Sequence, residues 1–570
     1  MDPHGRRVAA PVVLGSLVTL AFTGILLGRS LGPGIFLYRD FVSVPNPVLS
    51  PRTWGWAGPA PRAVPLDGVI ALLDPVVSSG VQQQVLLLGS LLLAGLGTTL
   101  LLRRHGAVAT SVGAGLATWS PYAAERLLLG QPPTLLAWSA LPWLVLAVRS
   151  RTSGWSRLVR IGLAAAPAAL TPYGGLTAAV VVVGLSLLER DRRRHSGLSV
   201  HLGAISVLAA SWCLPWLAPA LAGRGEAGQT GGAAAFRLAT DGASGVIDAF
   251  GGGGVWSSAA ALTSRGQALP LVVTALVLAL ALLGLRRIHR PRLALTALAG
   301  PPLLGLLLAT GPGVTAFAWA QQIPGVALFR DTHRLLGFSW FAVTVLAALG
   351  AAALVDQLTG YVAGGEGVRW SPHGWWRGVV PIGLTVLGVA AAPLGAPDAP
   401  SRLSAAYGPV SFPQGWACVV AAVQDHPVLV LPWQPMRRTQ WARNQPFLDP
   451  LPLALPGPVT IARDLIVVRD GQAAFRVGYT DPVGADAWTA GTVGVADLRR
   501  QGIERVVEWR GTPGRLPTTH PGLVLIHEDD AFRVWSVGAI VDGASGIATR
   551  SEQRLTDGCE RAGDRYDTQE

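Results

Sequence analysis

VAAPVVLGSLVTLAFTGILLG, residues 8–28, follows the basic opening MDPHGRR, and its reading decides how the rest of the chain is taken. A secretory signal has a shorter apolar core and ends at a small-residue cleavage site. This run is long enough to cross about 30 Å of hydrocarbon, and RSLGPG after it, at 29–34, is a poor cleavage site. It reads as an uncleaved first span. The composition agrees: 14% of residues are charged and 50% are hydrophobic, whereas a soluble domain carries about 25% charged residues. Mean hydropathy is +0.42.

Working outward, apolar segments recur at roughly 84–102, 106–120, 133–148, 158–172, 174–188, 199–221, 268–285, 293–310, 335–355 and 378–395, giving about eleven spans with the first. Several are short or hold Gly and Pro, which helices packed in a bundle tolerate. The formal charge of +12, carried by 45 Arg and no Lys, raises the question of nucleic acid. The positions of the Arg residues answer it. Arg6-Arg7, Arg103-Arg104, Arg149 with Arg151, RDRRRH at 190–195 and RRIHRPR at 286–292 fall between alternate spans. Short Arg-rich loops stay cytoplasmic, so all five clusters share one side if the amino terminus is inside. The basic charge is a topology signal and no nucleic-acid partner is expected. The acids Asp40, Asp67, Asp74, Glu125, Glu226, Asp241, Asp248 and Asp331 then face outward, with Glu189, Asp191 and Asp356 as inner exceptions. Acids on the outer face of a body without mid-span acids suit chemistry at that surface, whereas ion carriers place ionisable groups within spans.

The expected architecture is an α-helical polytopic membrane domain over 1–395, with a long first outer loop at 29–83. A small extracytoplasmic α/β domain follows over 396–548, and then a disordered polar tail, 549–570. HPVLVLPW, IERVVEW and GLVLIHEDDAFRVWSV are short β-type runs bounded by turn residues. VADLRRQGIERVVEW reads as a short helix then a strand, and a hairpin turns at Glu528-Asp529-Asp530. Residues 405–545 are expected to fold apart from the bundle. Cys213 reads as buried; Cys418 and Cys559 show no metal or CxxC spacing, and their pairing is left open.

Three constellations carry possible chemistry. Tyr38-Arg39-Asp40 lies in the first outer loop, near PLDGVIALLDPVV at 65–77, a segment suited to lie on the bilayer surface. Asp40 is either an ordinary loop acid or a general base that takes a proton from a sugar hydroxyl. WSPYAAERLLLGQPP, 119–133, holds the adjacent pair Glu125 and Arg126, which point different ways on a helix, so that one pairs elsewhere while the other meets a ligand. Trp119 and Tyr122 read there as interfacial anchors. In IPGVALFRDTHRLLGF, 323–338, Arg330, His333 and Arg334 fall at i, i+3 and i+4 and share one face of a helix, a donor set for phosphate, with Asp331 pointing elsewhere. Interfacial anchoring is the competing reading. The chain has no GxxxxGK[ST], HExxH or GxSxG, and FGGGGVW at 250–256 reads as flexible loop.

At these stretches the chain resembles polytopic actinobacterial membrane proteins of GT-C type, related in pattern to the arabinofuranosyl- and mannosyltransferases of the cell envelope. The resemblance rests on Asp40, on WSPYAAERLLLGQ, on PGVALFRDTHR before a late span, and on a closing outer domain with VLVLPW and DLRRQGIERVVEW. It implies a multi-pass protein of the plasma membrane, its amino terminus cytoplasmic and its carboxy-terminal domain extracytoplasmic. It implies a polyprenyl-phosphate sugar donor, a glycan or glycolipid acceptor, and inverting transfer on the outer face. Asp40 is the implied base; Arg39, Glu125, Arg126, Arg330, Asp331, His333 and Arg334, from the constellations above, are the expected substrate contacts. Members of the family often hold two close acids in the first outer loop. Here the others are Asp67 and Asp74, far along the chain, which favours a metal-free mechanism over a divalent-metal one; no cofactor is expected. Two other classes fit the same pattern: a non-catalytic scaffold of envelope assembly, and a lipid-glycan transporter, for which no repeat symmetry is visible.

Overall fold

A computed structural model describes residues 3–57, 63–152, 154–190, 198–222, 232–240, 242, 244–323, 326–364, 376–469, 472–477, 484 and 494–537. Glu226, Asp241, the basic run 191–195, Cys559 with its pairing to Cys418, and the tail 549–570 lie outside them. The chain forms two compact units. One joins residues 1–29 to 86–405, the other residues 30–85 to 406 onward.

The first unit is a helical bundle. Helix Pro3–Leu27 packs on Gly106–Thr118, and Ala268–Gly284 packs on Leu336–Gly364. Small residues let these helices approach closely, the usual device where no hydrophobic drive separates protein from lipid. A Cβ on Gly284 would overlap the Leu346 carbonyl, and one on Gly350 would overlap that of Leu280. Gly15 fits against Thr99, and Gly95 between Thr19 and Thr118.

Among the described residues six helices are long and apolar enough to cross a membrane: Ala9–Ser30, Ser79–Leu128, Pro172–Glu189, Ala268–Arg287, Pro291–Ala309 and Thr332–Thr359. Two bent pairs, Gly203–Ser211 with Leu214–Ala222 and Val379–Gly395 with Ala399–Ala406, raise this to eight if each is one span. The difference from eleven has a local cause. The run at 133–148 forms a short apolar helical stretch, Pro132–Val148, interrupted at Ala140 between Pro132–Ser139 and Leu141–Val148, and Gly154–Ala169 is also short for a span. Ser79–Leu128 holds a reversal: after Arg103–His105, Gly106 takes a φ of +88°, and Gly113 comes back against Leu102 and Thr98.

The second unit is built on a five-stranded mixed sheet ordered Val524–Glu528, Phe532–Ser536, Arg505–Trp509, Val428–Leu431, Val459–Thr460. Its last three strands run parallel and its first pairs are antiparallel. Side chains alternate between the faces of a strand. Val428, Val430, Val507, Trp509, Phe532 and Val534 join helix Gly415–Val423 in one core. Leu429, Leu431 and Val506 meet Leu498 of helix Val495–Arg500 in another.

Residues 30–85 belong to this unit rather than standing as a loop of the membrane domain. Ile35 and Val410 exchange backbone hydrogen bonds of 3.0 and 2.9 Å, and Ile35, Leu37 and Val44 lie inside the first core.

Candidate functional site

In the bundle unit, Ser120 caps the short helix Pro121–Leu128 by accepting from the Ala123 amide at 3.1 Å, with Pro121 at the first helical position. All eight of its residues are buried, Glu125 and Arg126 completely. The segment opposite does not form the expected helix face. Two 3₁₀ turns, Val326–Phe329 and Thr332–Leu335, precede helix Leu336–Gly364, and Arg330 and Asp331 fall between the turns. Arg330, His333 and Arg334 therefore diverge. Arg330 stacks 5.0 Å from the Phe236 ring, His333 is buried, and Arg334 reaches the surface with its side chain 20% exposed.

His333 and Asp331 both turn toward Arg126. The guanidinium holds the Asp331 carboxylate with two bonds, Nη1 to Oδ2 at 2.6 Å and Nη2 to Oδ1 at 3.0 Å. Nε and Nη2 meet His333 Nδ1 at 2.9 and 2.7 Å, and Nη1 also donates to Gln131 Oε1 at 3.0 Å. An arginine has five N–H donors. All five of Arg126 are directed at protein acceptors, so it keeps none for a ligand. Glu125 was expected to point away from its neighbour's partners, yet its Oε2 lies 3.3 Å from His333 Nε2, while its Oε1 accepts from the Leu262 amide at 3.5 Å. Burial alone would push the Asp331 carboxyl up, but Arg126 beside it, with Arg334, holds it well below the usual carboxylate range.

Arg334 is engaged less completely. Its Nε stands 3.5 Å from Asp331 Oδ2, Nη1 donates to the Leu328 carbonyl at 3.3 Å, and the guanidinium lies 5.2 Å from the Tyr173 ring. Two tyrosines hold its backbone: the hydroxyls of Tyr173 and Tyr122 donate to the Arg334 carbonyl at 3.0 and 3.5 Å. Tyr122 also stacks on His333 with ring centres 5.3 Å apart. It is thus a core residue and not an interfacial anchor. Trp119 is buried as well and donates to the Ala396 carbonyl at 2.9 Å. The glycine run is equally ordered in its packing, since Gly252, at a φ of +77°, fits against Trp340 and Tyr122. Nothing in the local sequence around Tyr173, Gln131 or Leu262 marked them as members of this cluster.

Arg39 and Asp40 belong to the other unit. Leu37–Tyr38 and Phe41–Val42 pair antiparallel with Tyr38 opposite Phe41, which makes Arg39-Asp40 a two-residue turn. Such turns demand positive φ, and Arg39 adopts +49° without being glycine. The strain, about 1 kcal/mol, is held by neighbours: the Arg39 amide donates to the Pro446 carbonyl at 2.6 Å and its carbonyl accepts from Leu448 at 2.9 Å. Arg39 Nε donates to the Tyr38 hydroxyl at 3.2 Å, and Asp40 is exposed at the tip. Among the described residues no group of three or more His, Cys, Asp or Glu is arranged to hold a metal ion.

No protein-family model and no curated protein matches the sequence. Solved structures do. The cryo-EM structure of the arabinofuranosyltransferase AftD from Mycobacteria aligns over 94% of this chain and 40% of its own, at a TM-score of 0.56 and 15% identity. A mutant of the same protein aligns over 94% and 42%, at 0.55 and 14%. The chain therefore spans about two fifths of the length of that protein. ArnT from Cupriavidus metallidurans, solved with undecaprenyl phosphate, aligns over 94% of this chain and 99% of its own at a TM-score of only 0.37 and 13% identity. With its long apolar helices, this chain has the fold of the multi-pass GT-C membrane glycosyltransferases.

Proposed function

We propose that the protein is a membrane glycosyltransferase that moves a sugar from a polyprenyl-phosphate donor to an envelope glycan or glycolipid on the outer face of the membrane. The observation that carries the reading is the fold shared with an arabinofuranosyltransferase over 94% of the chain. The exposed, strained turn that presents Asp40 supports its role as base, because strained backbone at an exposed acid is a feature of functional sites. In this reaction the Asp40 carboxylate takes the proton of the acceptor hydroxyl as that oxygen attacks the anomeric carbon. The bond from carbon to phosphate oxygen breaks, polyprenyl phosphate leaves with the electron pair, and the configuration inverts. Arg334 and Arg330, the two partly exposed cations of the late segment, contact the donor phosphate.

The test is transfer in membranes supplied with synthetic polyprenyl-phosphate pentose and hexose donors. Asp40→Asn keeps the size of the side chain but cannot take the proton, so turnover falls by about 10²–10⁴-fold while donor binding hardly changes. Full activity in that variant removes Asp40 from the mechanism. A second reading, a non-catalytic scaffold of the same fold, draws support from the closed pairing of Arg126 with Asp331, His333 and Gln131, an arrangement that needs no ligand. It takes the lead if the wild type transfers from no donor.

A further inference from the structure

We propose that Arg126, Glu125 and His333 are positioning residues that keep Arg334 available to an anionic phosphate by holding Asp331 away from it. The inference deepens the donor reading above and rests on it. Asp331 has two cationic neighbours. Arg126 takes both of its oxygens, at 2.6 and 3.0 Å, while Arg334 stands off at 3.5 Å. With Asp331 neutralised by Arg126, the charge of Arg334 is left to act outward from the one partly exposed side chain of the group.

What keeps Arg126 in that orientation is the ring of His333. Arginine only donates, so two N–H groups converging on Nδ1 require that nitrogen to be unprotonated. The ring proton then sits on Nε2, which faces the Glu125 carboxylate at 3.3 Å. The Glu125 carboxylate favours a proton on Nε2 by its charge, without a hydrogen bond to it. The two Arg126 donors require the bare Nδ1, and that acceptor sets the plane of the guanidinium that grips Asp331. Tyr122 fixes the ring by stacking on it, and all of these groups are buried.

The two halves of the ring can be separated by substitution. His333→Asn places an oxygen near the Nδ1 position and keeps the acceptor for Arg126. His333→Gln places its amide near Nε2, keeping the contact to Glu125 but losing that acceptor. The probe is undecaprenyl phosphate, titrated into the full-length protein in nanodiscs.

His333→Gln binds the probe roughly tenfold more weakly than His333→Asn, the loss of about one charge-assisted contact. The ring ¹⁵N spectrum of the wild type at neutral pH, assigned by its loss in His333→Asn, shows an unprotonated Nδ1 and a protonated Nε2. A protonated Nδ1 in the wild type overturns the relay whatever the binding of the two variants. Equal binding by the two variants, with the wild type binding, overturns the positioning role alone. A wild type that does not bind the probe overturns the donor reading, and with it the purpose assigned to the relay.

Discussion

Replacing Arg126 with Met keeps much of its volume and removes its charge, and the cost follows from what is left behind. Asp331 remains buried, its side chain 5% exposed, with only the more distant Arg334 and the His333 ring left beside it. In the wild type the folded carboxyl is held below its ordinary value. Its contribution to stability is therefore fully present above about pH 3.9, the unfolded value, and is lost as the pH falls through the folded one. Without cations the sign reverses, because burial now raises the folded value and stability is lost as the pH rises. Protonation sets the ceiling on the penalty. Keeping a carboxyl of ordinary pKa about 3.9 neutral costs about 1.36 kcal/mol per pH unit above that value, hence about 4 kcal/mol at about pH 7 and about 1.5 kcal/mol at about pH 5. The first figure agrees with the 3–5 kcal/mol or so that follows removal of one partner from a buried pair. Arg334 can relieve part of it by closing its 3.5 Å gap to Asp331, so the decisive protein is Arg126→Met with Arg334→Gln. The assay is the apparent melting temperature in one detergent at the two pH values, referred to wild type. The deficit of the double variant grows with pH, and adding Asp331→Asn abolishes that growth. A deficit independent of pH in the double variant refutes the reasoning.

Gly350→Ala forces apart helices Ala268–Gly284 and Leu336–Gly364, because the new Cβ overlaps the Leu280 carbonyl; it costs about 1–3 kcal/mol in the same melts. Gly383→Ala, where nothing lies within 4 Å, is the matched control, and equal melts for the two would mean that the helices do not meet through glycine. A fragment of 406–537 expressed alone lacks Ile35, Leu37 and Val44, three core members worth about 1.5–3 kcal/mol each. That sum is comparable to the stability of a whole domain, so, against the expectation that residues 405–545 fold by themselves, the fragment gives no cooperative melt; a sharp transition would show that residues 30–85 are dispensable.

The sequence made some of this legible because the relevant patterns are local. The long apolar runs of the bundle, the helix-then-strand reading of VADLRRQGIERVVEW, and the reversal after Glu528 are periodicities and turn residues within a few positions. They reappear as Val495–Arg500, Arg505–Trp509 and the antiparallel pair Val524–Glu528 with Phe532–Ser536. Other features had no local trace. Leu37–Tyr38 and Phe41–Val42 are strands of two residues, too short for an alternation to register, so their place in the core with Val410 could not be read. The helix face assigned to Arg330, His333 and Arg334 failed because no helix runs through them: Arg330 lies between two short 3₁₀ turns, and only His333 and Arg334 belong to the second. The eleven expected spans counted apolar length without weighing that Pro132–Val148 is short for a span and is interrupted at Ala140, two residues before Pro142.

The charged candidates differ in a way that only packing reveals. Residues 125–126 were singled out as an adjacent charged pair pointing different ways and 330–334 as a set of donors suited to phosphate, and that logic does not distinguish a ligand contact from an internal pair. Separation along the chain hides the difference: Arg126 meets Asp331 and His333 across 205 and 207 positions. Once the five donors of Arg126 are matched to acceptors, its presence is explained by Asp331, and no substrate has to be invoked for it. The same accounting leaves Arg334 with its Nε short of a hydrogen bond to Asp331, and it finds Asp40 at an exposed turn that its neighbours keep strained. The proposed reaction assigns its roles to these two residues, Asp40 as base and Arg334 as phosphate contact, and in the proposed relay it is the hold of Arg126 on both oxygens of Asp331 that leaves Arg334 outside that pair.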